Sequence, residues 1–349
     1  MLAYAPGGFH AFYAWSYLLL VRHVAWVWKI SYALLDSLPV YGCVQPLRRM
    51  WNMWIARRFV ACLKEQRPDL VVATHFLPTD VCGAGRASGW LAAPLVVVVT
   101  DLYPHRFWIS RSADAVVAST DQSAAVLERR GIARERIHVL GIPIGKAFRR
   151  SADREALRKR LHLEPGRRTV LVTSGGTTVG HFERVVASLV SLETSGPGRL
   201  QLLVVCGEDE GARARLSRRA ERSSMPMRVF GFVDDMADLM AASDLIVAKA
   251  GGLTVSEALG CGVPLVLYHV IPGQERWNAE YVVGHGAAVI ARHARDVGVA
   301  VDGLMEEPAR LTAMREAARR LGRPDAADAI ALNVVKPLLE QRSRLKADG

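Results

Sequence analysis

Two apolar segments late in the chain are each followed by a polar, glycine-bearing loop, and this pattern constrains the fold most strongly. SDLIVAK (243–249) is followed by glycines 251–252 and a helical segment, and VPLVLYH (263–269) is followed by the loop 271–275. Fully apolar strands that alternate with helices are typical of a parallel sheet with both faces covered. Loops that follow neighbouring strands of such a sheet share one edge, where ligands bind. This stretch therefore predicts a ligand site.

The residues of these loops indicate the chemistry of the ligand. Glycines allow close approach to the main chain, and Thr254 and Ser256 are predicted to cap the following helix, whose first amides form an anion site. Glu257 offers a carboxylate in the first turn of that helix, and Gln274 and Glu275 offer an amide and an acid. An acid, an amide and backbone donors beside a phosphate-type site are suited to a nucleotide-sugar.

The remaining sequence alternates strand and helix signals in two α/β halves. Apolar strands are predicted at 68–75, 94–101, 113–119, 136–143, 169–176 and 201–207. A length of 349 residues favours two domains. The predicted division is an N-terminal domain at 1–148, a basic linker at 149–168, a second domain at 169–322 and a C-terminal helix at 323–349 that packs back on the first domain.

A second glycine-rich turn, at 175–181, joins a strand to a helix. Gly175 and Gly176 begin it, and a phosphate or a closely packed backbone fits such a turn. It is not a Walker motif, and it lacks the full dinucleotide fingerprint. Taken alone, it is a weak indication.

The net charge of +11 favours an anionic partner, although frequent use of Arg explains it equally well. The basic residues spread over helices and the linker without a motif that reads bases, which argues against nucleic acid. Five scattered cysteines without a C-x-x-C pair argue against a disulfide framework or a zinc site and favour a reducing compartment.

The first 60 residues hold an unusual share of the aromatic side chains. The apolar run 11–35 is interrupted by Arg22, His23 and Lys29, so it predicts helices at a bilayer surface rather than a spanning helix, with a buried helix pair as the alternative. The segment 46–64 places aromatic residues among arginines and predicts a basic amphipathic helix, on a membrane or at an ordinary surface. Its aromatic residues are Trp51, Trp54 and Phe59.

The block 231–289 reads GFVDDMADLMAASDLIVAKAGGLTVSEALGCGVPLVLYHVIPGQERWNAEYVVGHGAAV. It resembles the glycosyltransferases of family 28, and it is the most specific part of the resemblance. VVTDLYPHRFWIS (98–110), VLGIPIGKAF (139–148) and GRPDAADAIA (322–331) extend it over nearly the whole chain. The pattern is most similar to the lipid-glycosylating branch of monogalactosyldiacylglycerol synthases and processive diacylglycerol glucosyltransferases. The enzyme that adds N-acetylglucosamine to the lipid-linked peptidoglycan precursor is a more distant relative.

The resemblance implies the GT-B fold, with two Rossmann-like domains facing across a cleft, and inversion at the anomeric carbon of a UDP-sugar. It assigns the donor phosphates to Gly175 and Gly176, uracil to Phe232 and Val233, and ribose to Glu257. It assigns the diphosphate to Gly251, Gly252, Leu253 and Thr254, and the sugar to Gln274 and Glu275 with Asn278 behind them. It implies no obligatory metal, and Asp234-Asp235 are interpreted as helix N-terminal charges.

The acceptor side is assigned to the first domain. Asp101 and His105 follow a central strand, where a general base or an acceptor-orienting group is expected. His75, also at a strand end, is another candidate, while a structural hydrogen bond is the ordinary role of a strand-end histidine.

The beginning of the chain departs from the family pattern. Family members usually begin with a strand and a glycine-rich loop ending in His, whereas this chain opens at MLAYAPGGFHAFY, and the first βαβ unit is expected to be absent. The expected function is transfer of a hexose from a UDP-sugar to a membrane lipid, diacylglycerol, by a peripheral protein on the cytoplasmic face of an anionic membrane. Transfer of N-acetylglucosamine to a polyprenyl-linked precursor, a different small acceptor, a nucleotide-sugar epimerase and an inactive donor-binding fragment stay open as alternatives.

Overall fold

The computed structural model describes residues 25–149, 153–175, 181–195 and 198–347. These residues form two compact units. The first comprises the described residues up to Pro143, Ile271–Gln274 and those from Ala326 onward, and the second comprises Ile144–Val270 and Glu275–Asp325. The glycine-rich opening and most of the apolar run 11–35 lie outside the described residues, as do Gly176 and residues 150–152.

Helices and parallel strands alternate along both units. The helices of the described residues are α1 (Ala25–Asp36), α2 (Leu38–Ile55), α3 (Arg57–Gln66), α4 (Phe76–Ala87), α5 (Asp121–Arg129), α6 (Arg154–Arg160), α7 (Phe182–Val190), α8 (Leu192–Ser195), α9 (Glu210–Ala220), α10 (Met236–Ala242), α11 (Gly252–Gly260), α12 (Gln274–Gly284), α13 (Asp296–Glu306), α14 (Pro308–Leu321), α15 (Ala326–Ile330) and α16 (Lys336–Ala347). The strands are β1 (Val71–Ala73), β2 (Leu95–Val98), β3 (Ala115–Ala118), β4 (Ile137–Val139), β5 (Arg168–Thr173), β6 (Leu200–Val205), β7 (Met227–Phe230), β8 (Leu245–Ala248), β9 (Leu265–Tyr268) and β10 (Ala288–Ala291).

The sheet of the first unit has its described strands in the order β1-β2-β3-β4, all parallel. Every residue of β2 is buried, as expected of a central strand covered on both faces. Leu95 and Val97 pack into one hydrophobic cluster, and Val96 and Val98 pack into another that includes Ile330 of α15. The C-terminal helices therefore cover one face of this sheet.

The sheet of the second unit has the order β7-β6-β5-β8-β9-β10, again all parallel. The direction in which successive strands are added reverses between β5 and β8. In open α/β sheets, ligands bind at the carboxyl ends of the strands on either side of such a reversal. The fold class predicted from the sequence, α/β with two Rossmann-like units, is confirmed.

Residues 153–168, for which the sequence predicts a linker, belong to the second unit. Leu157 and Leu161 are buried, which fixes α6 on the unit. The buried carboxylate of Asp244 receives an ion pair from Arg154 at 2.7 Å and a hydrogen bond from the Thr169 amide at 2.9 Å. The basic composition of this segment is explained in part by Asp244, because a buried acid needs arginine partners.

The basic amphipathic segment 46–64 is two helices rather than the single helix predicted, because α2 ends at Ile55 and α3 begins at Arg57. Ala56 between them is buried and caps both. Among the described residues, no helix combines the length and the apolarity that crossing a bilayer requires.

Candidate functional site

The carboxyl ends of β5, β8 and β9 lie level with one another at the reversal point of the second sheet. The register pairs Val172 with Val247, and Ala248 with Leu267. The residues that follow these strands therefore share one edge. They are the glycine turn after β5, the Gly251-Gly252 turn after β8, and His269 and Val270 after β9.

Gly175 begins the turn after β5 in the left-handed region, with φ of +84°, which favours glycine. Its amide lies 3.4 Å from the Thr173 hydroxyl oxygen. The predicted phosphate loop thus starts at the edge where the second unit is expected to hold a ligand. Gly176 lies outside the described residues, so its predicted role stays a prediction.

The helix α11 starts in the turn after β8 with Gly251 as its N-cap residue. The prediction that Thr254 and Ser256 cap this helix is wrong, because the helix begins at Gly252 and both residues lie inside it. No side chain caps α11, so its first amides keep their capacity to bind an anion. Gly252, Leu253 and Thr254 contribute this first turn, and Leu253 is 52% exposed.

Glu257 lies one turn further along α11 and is half-buried. Its carboxyl group has no hydrogen bond or ion pair among the described residues. Burial raises the pKa of Glu257 to about 7, since partial removal from water disfavours the charged form. A half-buried acceptor without a partner fits the predicted role of binding ribose hydroxyl groups.

Helix α12 carries three predicted donor residues in its first turns. Gln274, its first residue, is exposed, and Glu275 is half-buried. Asn278 is only 1% exposed, and its Nδ2 donates to the carbonyl oxygen of Ala250 at 3.0 Å. The structure therefore gives Asn278 a positioning role, because it fixes the backbone that leads into Gly251 rather than presenting its amide to a ligand.

Phe232 and Val233 follow β7, the strand at one edge of the second sheet. Phe232 is 69% exposed. A large aromatic side chain exposed at a strand end can stack on a base, but β7 lies two strands away from β5. The predicted role of these residues in binding uracil continues to rest on the family resemblance.

Basic residues that the sequence analysis did not single out lie at the same edge. Lys249 follows β8, His269 follows β9, and His181 precedes α7. Burial lowers the pKa of His269, and the nearby charges of Lys249 and His181 lower it further, so the three groups lie close together. His269 and His181 have positive φ values of 46° and 59°, which sequence patterns do not reveal. The position of Lys249, one residue before the Gly251-Gly252 turn, is the signal that could have found it.

In the first unit, Asp101 follows β2 as predicted and is half-buried. Its Oδ2 accepts a hydrogen bond from Trp108 Nε1 at 3.2 Å, and its carbonyl oxygen accepts one from the Ser119 hydroxyl at 2.8 Å. These contacts hold the carboxylate in a fixed position at the carboxyl edge of the first sheet.

His105 is 3% exposed, and both of its ring nitrogens are engaged. Nδ1 accepts a hydrogen bond from the Phe107 amide at 3.2 Å, so Nε2 carries the proton and donates to the Tyr32 carbonyl at 3.1 Å. Burial lowers the pKa of His105 despite the neighbouring carboxylate of Asp36. This geometry opposes the prediction of His105 as a catalytic base and gives it the role of joining α1 to the loop after β2.

His75 caps helix α4, as its Nδ1 accepts a hydrogen bond from the Leu77 amide at 3.2 Å. Its side chain is exposed, and the cap places the hydrogen of the neutral ring on Nε2. In this tautomer, Nε2 of His75 is a hydrogen-bond donor. Across the parts of the chain that the structure describes, no group of three or more His, Cys, Asp or Glu side chains is arranged to hold a metal ion.

Solved structures with this architecture include MurG from Acinetobacter baumannii, with a TM-score of 0.59 and 18% identity over 82% of this chain and 78% of that one. A UDP-GlcNAc 2-epimerase from Neisseria meningitidis, solved with UDP-GlcNAc, gives a TM-score of 0.62 and 16% identity over 82% of each chain. At such identities the likeness shows the fold alone, a two-unit α/β architecture that GT-B glycosyltransferases and epimerases share.

Sequence relatives define the class further. The family model described as monogalactosyldiacylglycerol synthase matches residues 3–144, and that of the glycosyltransferase family 28 C-terminal domain matches residues 169–330. A processive diacylglycerol beta-glucosyltransferase from Bacillus cytotoxicus is 30% identical over 86% of this chain and 76% of its own length. The protein of the same name from Bacillus cereus is 30% identical over 83% and 74%.

The chain belongs to the family 28 glycosyltransferases, in the branch that includes the monogalactosyldiacylglycerol synthases and processive diacylglycerol glucosyltransferases. The family predicted from the block 231–289 is thereby confirmed, as is the assignment to an enzyme class that transfers hexoses from nucleotide-sugars.

Proposed function

We propose that the protein transfers a hexose from a UDP-sugar to a hydroxyl group of diacylglycerol in a membrane, with inversion at the anomeric carbon. The family model matched by residues 3–144 and the names of the relatives support a glycolipid-forming reaction, and the model matched by residues 169–330 supports glycosyl transfer. The observation that carries the donor half is the half-buried Glu257 without a partner, one turn beyond the uncapped amides of α11 at the reversal point of the sheet.

The donor fits this edge through three kinds of group. The amides of Gly252 and Leu253 and the positive end of the α11 dipole offset the charge of the diphosphate. Lys249 adds a full positive charge. The carboxylate of Glu257 accepts hydrogen bonds from vicinal ribose hydroxyls, and Gln274 and Glu275 offer an amide and a carboxylate to the sugar hydroxyls.

The proposed reaction is a single displacement. The acceptor oxygen forms a bond to C1 of the sugar while the bond from C1 to the diphosphate oxygen breaks, and UDP leaves. The proton of the acceptor hydroxyl passes to a general base, which we assign to Asp101 because His105 has no free nitrogen. The α11 amides and Lys249 stabilise the charge on the leaving diphosphate, so the proposal requires no metal ion.

Helix α2 supports the proposal that the protein acts at a membrane surface. Its large apolar side chains at positions 47, 50, 51 and 54 recur at helical spacing and lie on one face. They are between 51% and 67% exposed. Exposed Trp and Leu residues beside arginines are typical of helices that lie in the interface of an anionic bilayer. We place this surface on the cytoplasmic face, where nucleotide-sugars and anionic lipids meet.

The test is to incubate the protein with diacylglycerol vesicles and labelled UDP-glucose, UDP-galactose or UDP-N-acetylglucosamine, and to identify the lipid product. We expect a β-linked hexosyl diacylglycerol from one of the first two donors and no product from the Glu257→Ala variant. Product only from UDP-N-acetylglucosamine with a polyprenyl-linked acceptor would contradict the proposed acceptor. Calorimetric UDP binding without any product would show a donor-binding protein that lacks turnover.

A further inference from the structure

The loop that begins at Asp101 is held by a residue far from it in the sequence. Asp36 is the last residue of α1. Its Oδ1 accepts a hydrogen bond from the Arg106 amide at 3.0 Å, and its backbone carbonyl oxygen accepts one from the Arg106 guanidinium group. Its Oδ2 accepts a hydrogen bond from the Tyr103 hydroxyl at 3.4 Å. Asp36 therefore contacts the loop at two separate residues, through both its backbone and its side chain.

Arg130, the residue that follows α5, joins Asp36 to the same loop. Its guanidinium group donates to Asp36 Oδ2 at 2.7 Å, to the Pro104 carbonyl oxygen at 2.8 Å and to the Tyr103 hydroxyl oxygen at 2.9 Å. The side chains of Arg130 and Asp36 are 9% and 21% exposed. An ion pair that is shielded from water and carries additional hydrogen bonds holds its neighbours more firmly than an exposed pair does.

The surroundings of Asp36 keep its carboxyl group ionised. Burial alone would raise the pKa of Asp36, but the hydrogen bond and the charge of Arg130, together with the Arg106 amide, hold it below its usual value. The Oδ1 atom also lies 3.6 Å from Nε2 of His105. At neutral pH the carboxylate therefore keeps all of these contacts.

The far end of the loop holds the carboxylate of Asp101. Arg106 begins a short 3₁₀ turn that ends at Trp108, and the Trp108 amide donates to the His105 carbonyl oxygen at 2.9 Å. Trp108 is 2% exposed, and its Nε1 donates to Asp101 Oδ2 at 3.2 Å. A shift of the backbone at Arg106 would move this indole ring. The position of the Asp101 carboxylate thus depends on contacts that Asp36 makes.

We propose that Asp36, paired with Arg130, is a positioning residue of the transfer reaction and acts by fixing the carboxylate of Asp101. This inference rests on the proposed function, in which Asp101 is the general base. A general base must lie within hydrogen-bond reach of the proton that it removes, and a misplacement of about 1 Å can slow a reaction about 100-fold. The carboxylate oxygens of Asp36 are both engaged by the protein, so it does not serve as the base itself.

Asp114 offers a matched control in the same unit. Its Oδ2 accepts a hydrogen bond from the Leu95 amide at 2.8 Å, and its Oδ1 accepts one from Arg86 at 2.7 Å. Its side chain is 27% exposed, close to the value for Asp36. Leu95 begins β2, whereas Asp101 follows the end of that strand. Asp114 thus makes the same kinds of contact at the opposite edge of the sheet.

The first test compares Asp36→Asn with Asp114→Asn, using diacylglycerol vesicles and the UDP-hexose that gives product. We expect kcat to fall about 10- to 100-fold for Asp36→Asn, because the Asp101 carboxylate is displaced. Calorimetric UDP affinity should stay within about twofold of that of the unmodified protein, since the second unit is intact. Asp114→Asn should lower the melting temperature by a similar amount with little loss of kcat. Equal losses of kcat in the two variants would overturn the proposal.

The variant Asp36→Glu keeps the fold testable if Asp36→Asn is too unstable to assay. It retains the charge that pairs with Arg130, so we expect a melting temperature near that of the unmodified protein. Its longer side chain displaces the Arg106 amide, so kcat should still fall. If kcat followed the melting temperature across all the variants of Asp36 and Asp114, Asp36 would be merely structural.

A double variant tests whether Asp36 acts through Asp101. In the Asp101→Asn background, Asp36→Asn should cause almost no further loss of kcat, because residues that act as a unit are not additive. A further loss as large as that in the unmodified background would overturn the proposal. A different result, an unchanged kcat for Asp101→Asn alone, would refute the proposed base and with it the role of Asp36. The two failures are therefore distinguishable.

Discussion

The two sheets differ in strand order, and the difference determines how directly each reveals a ligand site. In the second unit the order reverses between β5 and β8, which opens a crevice at the carboxyl ends of these strands. In the first unit the described strands follow one another as β1-β2-β3-β4, without a reversal among them. Backbone topology therefore points to the proposed donor edge, whereas the roles proposed in the first unit depend on individual side chains.

The two units also differ in whether their polar groups have partners within the protein. At the donor edge, Glu257 and the first amides of α11 have no protein partner among the described residues and are available to a ligand. After β2, both ring nitrogens of His105 form hydrogen bonds with the protein backbone. The following predictions test this contrast.

The largest effect is expected at Asp101, the proposed base. Asp101→Asn keeps the size of the side chain and its ability to accept from Trp108 but removes the basic oxygen. We expect kcat to fall by about 10²- to 10⁴-fold, as is usual for loss of a general base. UDP affinity should stay unchanged in calorimetry, because the second unit is intact. A kcat within a few-fold of that of the unmodified protein would remove Asp101 from the mechanism.

A smaller effect is expected at Glu257. Glu257→Gln replaces a carboxylate acceptor with an amide, and UDP-glucose should bind about 10- to 100-fold more weakly, as expected for lost hydrogen bonds to a charged group. The affinity of the unmodified protein should rise with pH through about 7, where the carboxyl group ionises. The variant should lack this pH dependence. Calorimetric titrations at several pH values measure both, and an identical pH profile for the variant would contradict the role.

The free protein should show the opposite trend in stability. The folded state holds the Glu257 proton more tightly than the unfolded chain, as the pKa rises from 4.5 to about 7. Stability is therefore lost as the pH rises between these values. In thermal unfolding without ligand, Glu257→Gln should lose less stability as the pH rises, because its amide has no proton to release. If the variant lost as much stability over this pH range as the unmodified protein, Glu257 would be solvated and its pKa would not be raised by burial.

The smallest effect on binding is expected at Asn278. Asn278→Ala leaves the carbonyl oxygen of Ala250 without its partner, so the free energy of unfolding should fall by about 1–3 kcal/mol. UDP affinity should fall only a few-fold, because Asn278 positions the turn and does not touch the ligand. Urea unfolding and calorimetry separate these effects. A loss of affinity as large as that of Glu257→Gln would return Asn278 to direct binding.

Sequence predicted the second unit better than the first for a physical reason. A strand, a glycine turn and a helix are encoded within a few consecutive residues, so Gly251, Gly252 and Glu257 could be found together. The break at Ala56 depends on tertiary packing, and the positive φ of His269 depends on the local backbone. Arg49, Arg106 and Arg129 line one cavity of the first unit but come from separate elements, so only the folded chain brings them together.

Hydrogen–deuterium exchange with and without UDP tests the central claim most directly, namely that the reversal point of the second sheet is the donor site. We predict that UDP slows exchange at the amides of residues 251–256 and in the first turn of α12, and leaves β1 to β4 unchanged. Protection confined to the first unit, or none at saturating UDP, would contradict the assignment of the donor site.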